Sequence, residues 1–547
     1  MSSLPQPSVF SSSTFNFDPK LNASIASNLQ FTTPTIVQER SFPHILKGSD
    51  LLIKSETGSG KSLAFLLPII NHIITSPSER NSGIVAIIIS PTRELALQLQ
   101  SVCNLLLRSF PGVVCGSITG GEKRKTEKAR LRKGVHILVA TPGRLRDHFD
   151  RTSVLSDRLE NLKYLVLDEA DQLLDFGFLP LVNFFLNSLS NLPHFKTIQR
   201  ILVSATLSTR VVKLSESFLN TPALVNCDDA LASSSTIENL EVNVPTTVSQ
   251  YFSIAPLKLK FPHVVATLSN ELQRLKGNAK VMVFVFSCVH VDFFHSLFTS
   301  ISHSIDSSLN RVFHNCTYFA LHGGLDMIER KKTIQKYLSL SGNGVLFCTD
   351  VAARGLDITN VDTVIQIDPP HTLEGYIHRT GRTGRIGNFG RSILLLSEEE
   401  RLFLDFLSAQ KLTLSELPLH TLLGSLASQL AVRPSARKDT KEDAVCRLIQ
   451  ILVEQQVASD SATTALGRES YQAFVSAYSS LPKDFRSYFD RRKLHLGHLC
   501  RFYGLKDQPS SISGLLKQNN PSENRTTKRF STALSFSAPS AKRSRRE

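Results

Sequence analysis

The run Ser55-Glu56-Thr57-Gly58-Ser59-Gly60-Lys61-Ser62 sits between the apolar stretches Leu51-Leu52-Ile53 and Leu63-Ala64-Phe65-Leu66-Leu67. That order predicts a strand, a glycine loop and a helix. Gly58 and Gly60 let the backbone turn its N–H groups inward, and the start of the following helix adds its positive dipole end. Such a loop holds a polyphosphate. Lys61 then meets the β- and γ-phosphates of a nucleoside triphosphate, and the Ser62 hydroxyl is placed to ligate magnesium.

The surrounding rhythm agrees with a parallel sheet. Apolar runs at 84–89, 137–140, 164–167 and 201–203 alternate with helical patterns, as buried strands joined by crossover helices do. Each run ends in a polar cluster: Pro91-Thr92-Arg93-Glu94, Thr141-Pro142-Gly143-Arg144, Asp168-Glu169-Ala170-Asp171 and Ser204-Ala205-Thr206. Ligands of open α/β sheets lie at the carboxyl ends of the strands, so these clusters are expected on one rim. The acidic cluster completes the chemistry: Asp168 holds magnesium through water, and Glu169 orients and deprotonates the attacking water. Upstream, Gln38 in Pro34-Thr35-Ile36-Val37-Gln38 offers a donor and an acceptor that suit two edges of an adenine, although the same run also reads as an ordinary helix start.

In this order and spacing, the phosphate loop, Pro-Thr-Arg-Glu-Leu-Ala, Thr-Pro-Gly-Arg, Asp-Glu-Ala-Asp and Ser-Ala-Thr resemble the DEAD-box RNA helicases. The resemblance implies an α/β fold of two tandem RecA-like domains with parallel sheets, closing over ATP and RNA. The second half is then expected to repeat the first. Apolar runs at 281–286, 318–321, 344–348 and 363–367 do recur there, with Leu321-His322-Gly323-Gly324, the stretch from Cys348 to Asp357, and His378-Arg379-Thr380-Gly381-Arg382-Thr383-Gly384-Arg385 attached to them.

By the same resemblance Arg382 and Arg385 reach the γ-phosphate, Asp357 lies near the ribose, and an aromatic residue, Phe15 rather than Phe17, stacks on adenine. RNA contacts carry over to Pro91, Thr92, Arg93, Gly120, Gly121, Thr141, Gly143, Arg144, Arg330 and Thr349. Coupling between the domains falls to Ser204, Thr206, Asp171 and His378. The chain departs from the common pattern at Ser62, where Thr is usual, at Gln30, where Gly precedes the aromatic Phe31, and at Met327, where many members carry Gln.

The expected organisation is a disordered Ser/Pro-rich segment over 1–14, a first domain over 15–225, a linker over 226–247, a second domain over 248–400, a mainly helical C-terminal extension over 401–515, and a basic disordered tail over 516–547. Within the extension, apolar stripes of helical spacing precede Leu494-His495-Leu496-Gly497-His498-Leu499. His495 and His498 lie three apart on an expected helix, and without further ligands nearby they read as packing or RNA-contact residues rather than a metal pair. The extension resembles that of nucleolar DEAD-box proteins acting on precursors of the large ribosomal subunit, which implies pre-rRNA and pre-ribosomal proteins as partners. The terminal Lys542-Arg543-Ser544-Arg545-Arg546 agrees with a nuclear signal.

Charge points the same way. Lys and Arg number 62 against 47 Asp and Glu, a net +15, which favours polyanionic partners. No apolar run approaches a bilayer span, so a soluble nuclear protein with no membrane role is expected, and nothing demands an oligomer. The eight cysteines form no C-x-x-C pair and are read as reduced. The leading function is therefore an RNA-stimulated ATPase using ATP and Mg2+. An ATP-gated RNA clamp is the alternative, a noncatalytic scaffold is opposed by the intact Lys61, Asp168, Glu169, Arg382 and Arg385, and DNA as substrate is disfavoured only by the resemblance.

Overall fold

The computed structural model describes residues 10, 15–55, 59–76, 82–227, 244, 247–303, 309–313, 315–350, 358, 361–384, 389–434 and 440–512. Strands β1 (Leu51–Lys54), β2 (Ala86–Ile89), β3 (Cys115–Ile118), β4 (Ile137–Ala140), β5 (Tyr164–Leu167), β6 (Gln199–Ser204) and β7 (Ala223–Asn226) form one sheet in the order β3-β4-β2-β5-β6-β1-β7. Every pairing is parallel; β1, for instance, aligns Leu51 with Ile201 on one side and with Ala223 on the other. Helices such as Lys61–Thr75 and Arg93–Leu106 cover the sheet. Strands β1, β2, β4 and β5 are buried along their whole length, which is why they read as unbroken apolar runs.

The second sheet holds β8 (Val248–Ala255), β9 (Lys280–Phe284), β10 (Cys316–Leu321), β11 (Asn343–Cys348), β12 (Thr363–Gln366), β13 (Gly390–Ser397) and β14 (Ser415–Glu416), in the order β10-β11-β9-β12-β13-β8-β14. Subtracting seven from each label returns the order of the first sheet. The pairings are again parallel. Two tandem RecA-like domains are thus present, built on one topology.

The helical region after Ser397 shares the core of the second domain. Strand β14 joins its sheet beside β8, and helices Leu419–Gln429, Lys441–Ser459 and Ser461–Ser480 follow. Phe502 lies 5.9 Å from Phe294, and Tyr503 lies 5.4 Å from Phe293, ring to ring. Phe474, Phe502 and Tyr503 are all fully buried, and each such side chain contributes roughly 1.5–3 kcal/mol on leaving water. Tyr478 adds a hydrogen bond from its hydroxyl to Glu400 Oε1, 2.9 Å. The extension is therefore fastened to the second domain.

His495 is not on the helix with His498. It caps the helix Leu496–Phe502, its Nδ1 accepting the His498 N–H at 3.1 Å, with the two rings stacked at 3.8 Å. Among the described residues no three His, Cys, Asp or Glu side chains converge as a metal site, and no helix is long and apolar enough to cross a membrane. The expected N-terminal segment over 1–14, apart from Phe10, and most of the linker over 226–247 lie outside the described residues, as does all of the chain from 513 onward. The linker's two ends belong to the domains, Asn226 closing β7 and Thr247 donating its hydroxyl to Gly384 O at 2.7 Å.

Candidate functional site

Sheet order sorts the polar clusters into two groups. Neighbours β5, β6 and β1 carry Asp168-Glu169, Ser204-Ala205-Thr206 and the phosphate loop at their carboxyl ends. Neighbours β3, β4 and β2 carry Gly120-Gly121, Thr141 to Arg144, and Pro91 to Arg93. One rim thus holds the candidate phosphate site and, beside it, a separate surface.

At the phosphate site Gly60 adopts φ +94° and caps the helix Lys61–Thr75. A Cβ there would stand 2.6 Å from Gln38 Nε2 and 3.0 Å from Thr35 Oγ1, so only glycine fits. Gln38 is fastened to backbone: its Nε2 donates to Gly60 O at 3.1 Å, and its Oε1 accepts the Thr35 N–H at 3.0 Å. The carboxamide therefore braces the loop, with one N–H left beyond these bonds. Lys61 Nζ, buried, donates to Ser55 O at 2.6 Å, and Ser55 Oγ donates to Ser59 Oγ at 2.7 Å. Ser62 follows in the first turn of the helix. Glu56, Thr57 and Gly58 lie outside the described residues.

Asp168 and Glu169 stand side by side at the end of β5. Burial, with Asp171 close by, pushes the Asp168 carboxyl up to about 6 although Lys61 draws it down. Burial and then the Asp168 charge push Glu169 up to about 7. The buried Asp168 and the half-buried Glu169, sharing one lysine, leave negative charge uncompensated, and their hard oxygens suit a divalent cation carried in by a nucleotide. Glu169 also holds φ 48°, a left-handed conformation rare outside glycine, and accepts a hydrogen bond from Gln172. Strain of this kind gathers at functional sites.

Asp171 turns the other way, toward the second domain. Its Oδ2 lies 3.2 Å from His378 Nε2 and 3.5 Å from the Thr206 hydroxyl, and both Asp171 and His378 are buried. Burial is the largest influence on Asp171 and opposes its charge, but the His378 hydrogen bond and charge hold it down to about 2. Ser204 Oγ donates to Thr206 O at 2.7 Å and accepts the Thr206 N–H at 3.3 Å, shaping that turn. Arg382, buried, sits one turn beyond His378 and donates from Nε to His378 O at 3.3 Å. Arg379 is structural, forking onto Asp350 at 2.6 and 2.8 Å. Asp357 and Arg385 lie outside the described residues.

On the neighbouring surface Thr92 caps the helix Arg93–Leu106, accepting the Leu95 N–H at 3.3 Å, with Pro91 buried before it. The Arg93 guanidinium lies so close to the positive-φ Gly120 and Gly121 that a Cβ on either would meet it, at 2.9 and 3.1 Å. Gly143 is exposed, and the Thr141 N–H donates to Ile118 O at 3.1 Å. Arg144 donates from Nε to Glu127 Oε2 at 2.6 Å and from Nη2 to Glu122 O at 2.7 Å. Thr349 is buried, its N–H donating to Leu321 O at 3.3 Å. Arg330 is paired with Glu94 of the first domain and also donates to Leu325 O and Gly323 O, at 3.0 and 3.2 Å. Both domains therefore contribute to this surface.

Phe15 and Phe17 are both buried, each with its ring 5.0 Å from Phe42 in an edge arrangement. The sequence reading passed over Thr35, Gln172, Glu94 and Glu127. Thr35 and Glu94 stood inside motifs already quoted but without a role of their own, and Glu127 carried a signal as an isolated acid in the basic run 123–133.

Comparison with known proteins agrees with this geometry. The DEAD/DEAH box helicase profile matches residues 35–214, the helicase conserved C-terminal domain matches 263–387, and a C-terminal extension described as that of ATP-dependent rRNA helicases like SPB4 matches 460–511. Human ATP-dependent DNA helicase DDX31 is 34% identical over 546 residues, spanning 94% of this chain, which covers 64% of the human protein. DEAD-box ATP-dependent RNA helicase 17 of rice (Oryza sativa subsp. japonica) is 34% identical over 534 residues, 90% of each chain. In structure the chain resembles Mss116p bound to ssRNA and AMP-PNP, with a TM-score of 0.71 and 25% identity over 92% of this chain and 93% of that one. With two RecA-like domains meeting through Asp171 and His378, and a 34% identical relative covered over 90% of its length, this chain belongs to the DEAD-box ATP-dependent RNA helicase family.

Proposed function

We propose that this chain hydrolyses ATP in response to RNA and uses the cycle to remodel RNA duplexes or RNA–protein contacts during assembly of the large ribosomal subunit in the nucleolus. The observation that carries the reading is the buried Asp171–His378 contact, because Asp171 lies three residues from Asp168 and His378 lies on the other domain. Closure and hydrolysis are thereby linked. Lys61 and the loop amides bind the β- and γ-phosphates, and Ser62 with Asp168, the latter through water, would hold Mg2+, which would supply neutralisation of phosphate charge. Glu169, its carboxyl raised to about 7, takes the proton of the attacking water, and Arg382 and Arg385 brought by the second domain offset charge on the γ-phosphoryl group.

RNA lies across Pro91, Thr92 and Arg93, Gly120 and Gly121, Thr141, Gly143 and Arg144, and meets Thr349 and Arg330 on the second domain. These groups contact phosphate and sugar, so they position a strand without reading its sequence. Phe15 and Gln38 serve the adenine, and Asp357 the ribose. Support for rRNA as the substrate comes from the match of 460–511 to an rRNA-helicase extension, and RNA more broadly agrees with relatives named ATP-dependent RNA helicase DBP7, such as that of Coccidioides immitis at 32% identity.

The test is steady-state ATP hydrolysis with and without RNA, with a DNA oligonucleotide in parallel and Glu169→Gln as control. Stimulation by RNA that the variant abolishes is expected. Equal stimulation by DNA would remove RNA specificity from the reading, and hydrolysis by Glu169→Gln at the native rate would remove Glu169 from the chemistry.

A further inference from the structure

The helix Arg124–Lys133 has a charged face for which the nucleotide and strand contacts above have no use. It is connected to the RNA surface at one end, since it begins three residues after Gly121. Three contacts clamp it to the helix Pro142–Arg151: Glu127 to Arg144 at 2.6 Å, Glu127 to His148 at 2.9 Å, and Arg124 to Asp147 at 3.5 Å. Glu127 is its only acidic residue and is fully buried, turned inward to Arg144, His148 and the Thr119 N–H. Glu122, just before the helix, is taken by Arg130 at 2.8 Å.

What remains outward is cationic. Lys123, Lys125, Arg132 and Lys133 are exposed and Lys128 is half-buried, and none of the five has a salt-bridge partner among the described residues. Surface lysines on an ordinary solvated helix are interleaved with acids; here the helix's one acid is turned inward, and the neighbouring Glu122 and Asp147 are drawn to Arg130 and Arg124, so the outer face keeps a net positive charge. A ten-residue helix is about 15 Å long, enough to face about two or three phosphates of an extended strand.

We propose that the outer face of this helix is a second RNA-binding surface, which holds the phosphates of strand lying beyond the Gly120-Gly121 turn and so lengthens the footprint past the two-domain clamp. The proposal rests on the RNA reading above. It assigns the cations to backbone neutralisation, which adds affinity and salt dependence but no sequence preference.

The experiment measures binding of fluorescent oligouridine RNA to the full chain across a KCl series, in the presence of a non-hydrolysable ATP analogue. One RNA of about 10 nucleotides fills the clamp, and one of about 25 extends past it. The unaltered chain is compared with a variant carrying Lys125→Gln, Lys128→Gln, Arg132→Gln and Lys133→Gln, and with one carrying Lys125→Arg, Lys128→Arg and Lys133→Arg. For the longer RNA the Gln variant is expected to bind about tenfold more weakly at low salt, with the slope of log K against log salt reduced by about 1.5–2. The shorter RNA should lose little, and the Arg variant should keep the native slope. Equal slopes for native and Gln variant would overturn the proposal and leave the helicase reading standing, as would loss of the slope in the charge-retaining variant. Failure of the unaltered chain to bind either RNA would overturn both.

Discussion

His378 Nε2 lies 3.2 Å from Asp171 Oδ2, in a buried contact that joins the two RecA-like domains across 207 residues of sequence. Nothing in the spacing of either segment requires them to meet. Their meeting places the second domain's arginine-bearing helix end against the acidic cluster.

His378→Ala is expected to break that joint. Removing one partner of a buried pair costs about 3–5 kcal/mol, here charged against the closed arrangement, so RNA-stimulated hydrolysis should fall about a hundredfold or more. Single-turnover hydrolysis with saturating RNA checks this. A native rate would mean that closure does not run through Asp171.

The glycine at the end of the phosphate loop has no room for a side chain. Gly60→Ala meets Gln38 Nε2 at 2.6 Å and must also hold φ near +94°, which costs about 1–2 kcal/mol in L-residues. Affinity for an ATP analogue should drop by about tenfold or more, read by calorimetry. Unchanged affinity would show that Gln38 does not brace the loop.

Gln30 is exposed and sits at φ 59° where the DEAD-box pattern has glycine. Gln30→Gly should therefore stabilise the first domain, by about 0.5–1 kcal/mol after the entropy that glycine loses on folding. The urea midpoint of the first-domain transition is the readout, and a fall in it would contradict the assigned conformation.

A pH effect is expected in the second domain. His322 lies 3.0 Å from Asp292, and that carboxylate, with the Cys288 thiol beside it, pushes the imidazole up to about 9 from 6.5. The folded state thus binds the proton more tightly than the unfolded chain. Its stabilisation is complete below about pH 6.5 and is lost as pH rises through about 9. His322→Gln should destabilise the second domain near pH 6 and make little difference near about pH 10, as followed by denaturation at a series of pH values. A cost that grows with pH would have the wrong sign.

Much of this protein was written locally. The phosphate loop requires its own strand and helix, because glycines, lysine and hydroxyl act through one backbone turn. The runs at 137–140 and 164–167 became β4 and β5 residue for residue, since a strand buried on both faces must be apolar throughout. Strands β3, β7, β8, β13 and β14 escaped this reading, β3 and β8 for a visible reason. Cys115–Ile118 is an edge strand containing glycine and serine, and Val248–Ala255 has a half-exposed middle, so neither shows an unbroken apolar run.

Tertiary structure decided which residues meet. Gln38 was legible as a carboxamide near the loop, but only the packing of the helix Ile36–Leu46 against Lys61–Thr75 tied it to Gly60 O. Arg330, proposed above to meet RNA, is also paired with Glu94 across the domains, 236 residues away, a meeting no spacing announces. His495 was expected on a helix and caps it instead, because its ring reaches back to the His498 N–H. Sequence by itself determined the chemistry available at the end of each strand. Sheet order, which no local pattern encodes, decided that β5, β6 and β1 gather the residues proposed for phosphate while β3, β4 and β2 gather those proposed for the RNA strand, and the meeting of the two domains decided that Asp171 finds His378.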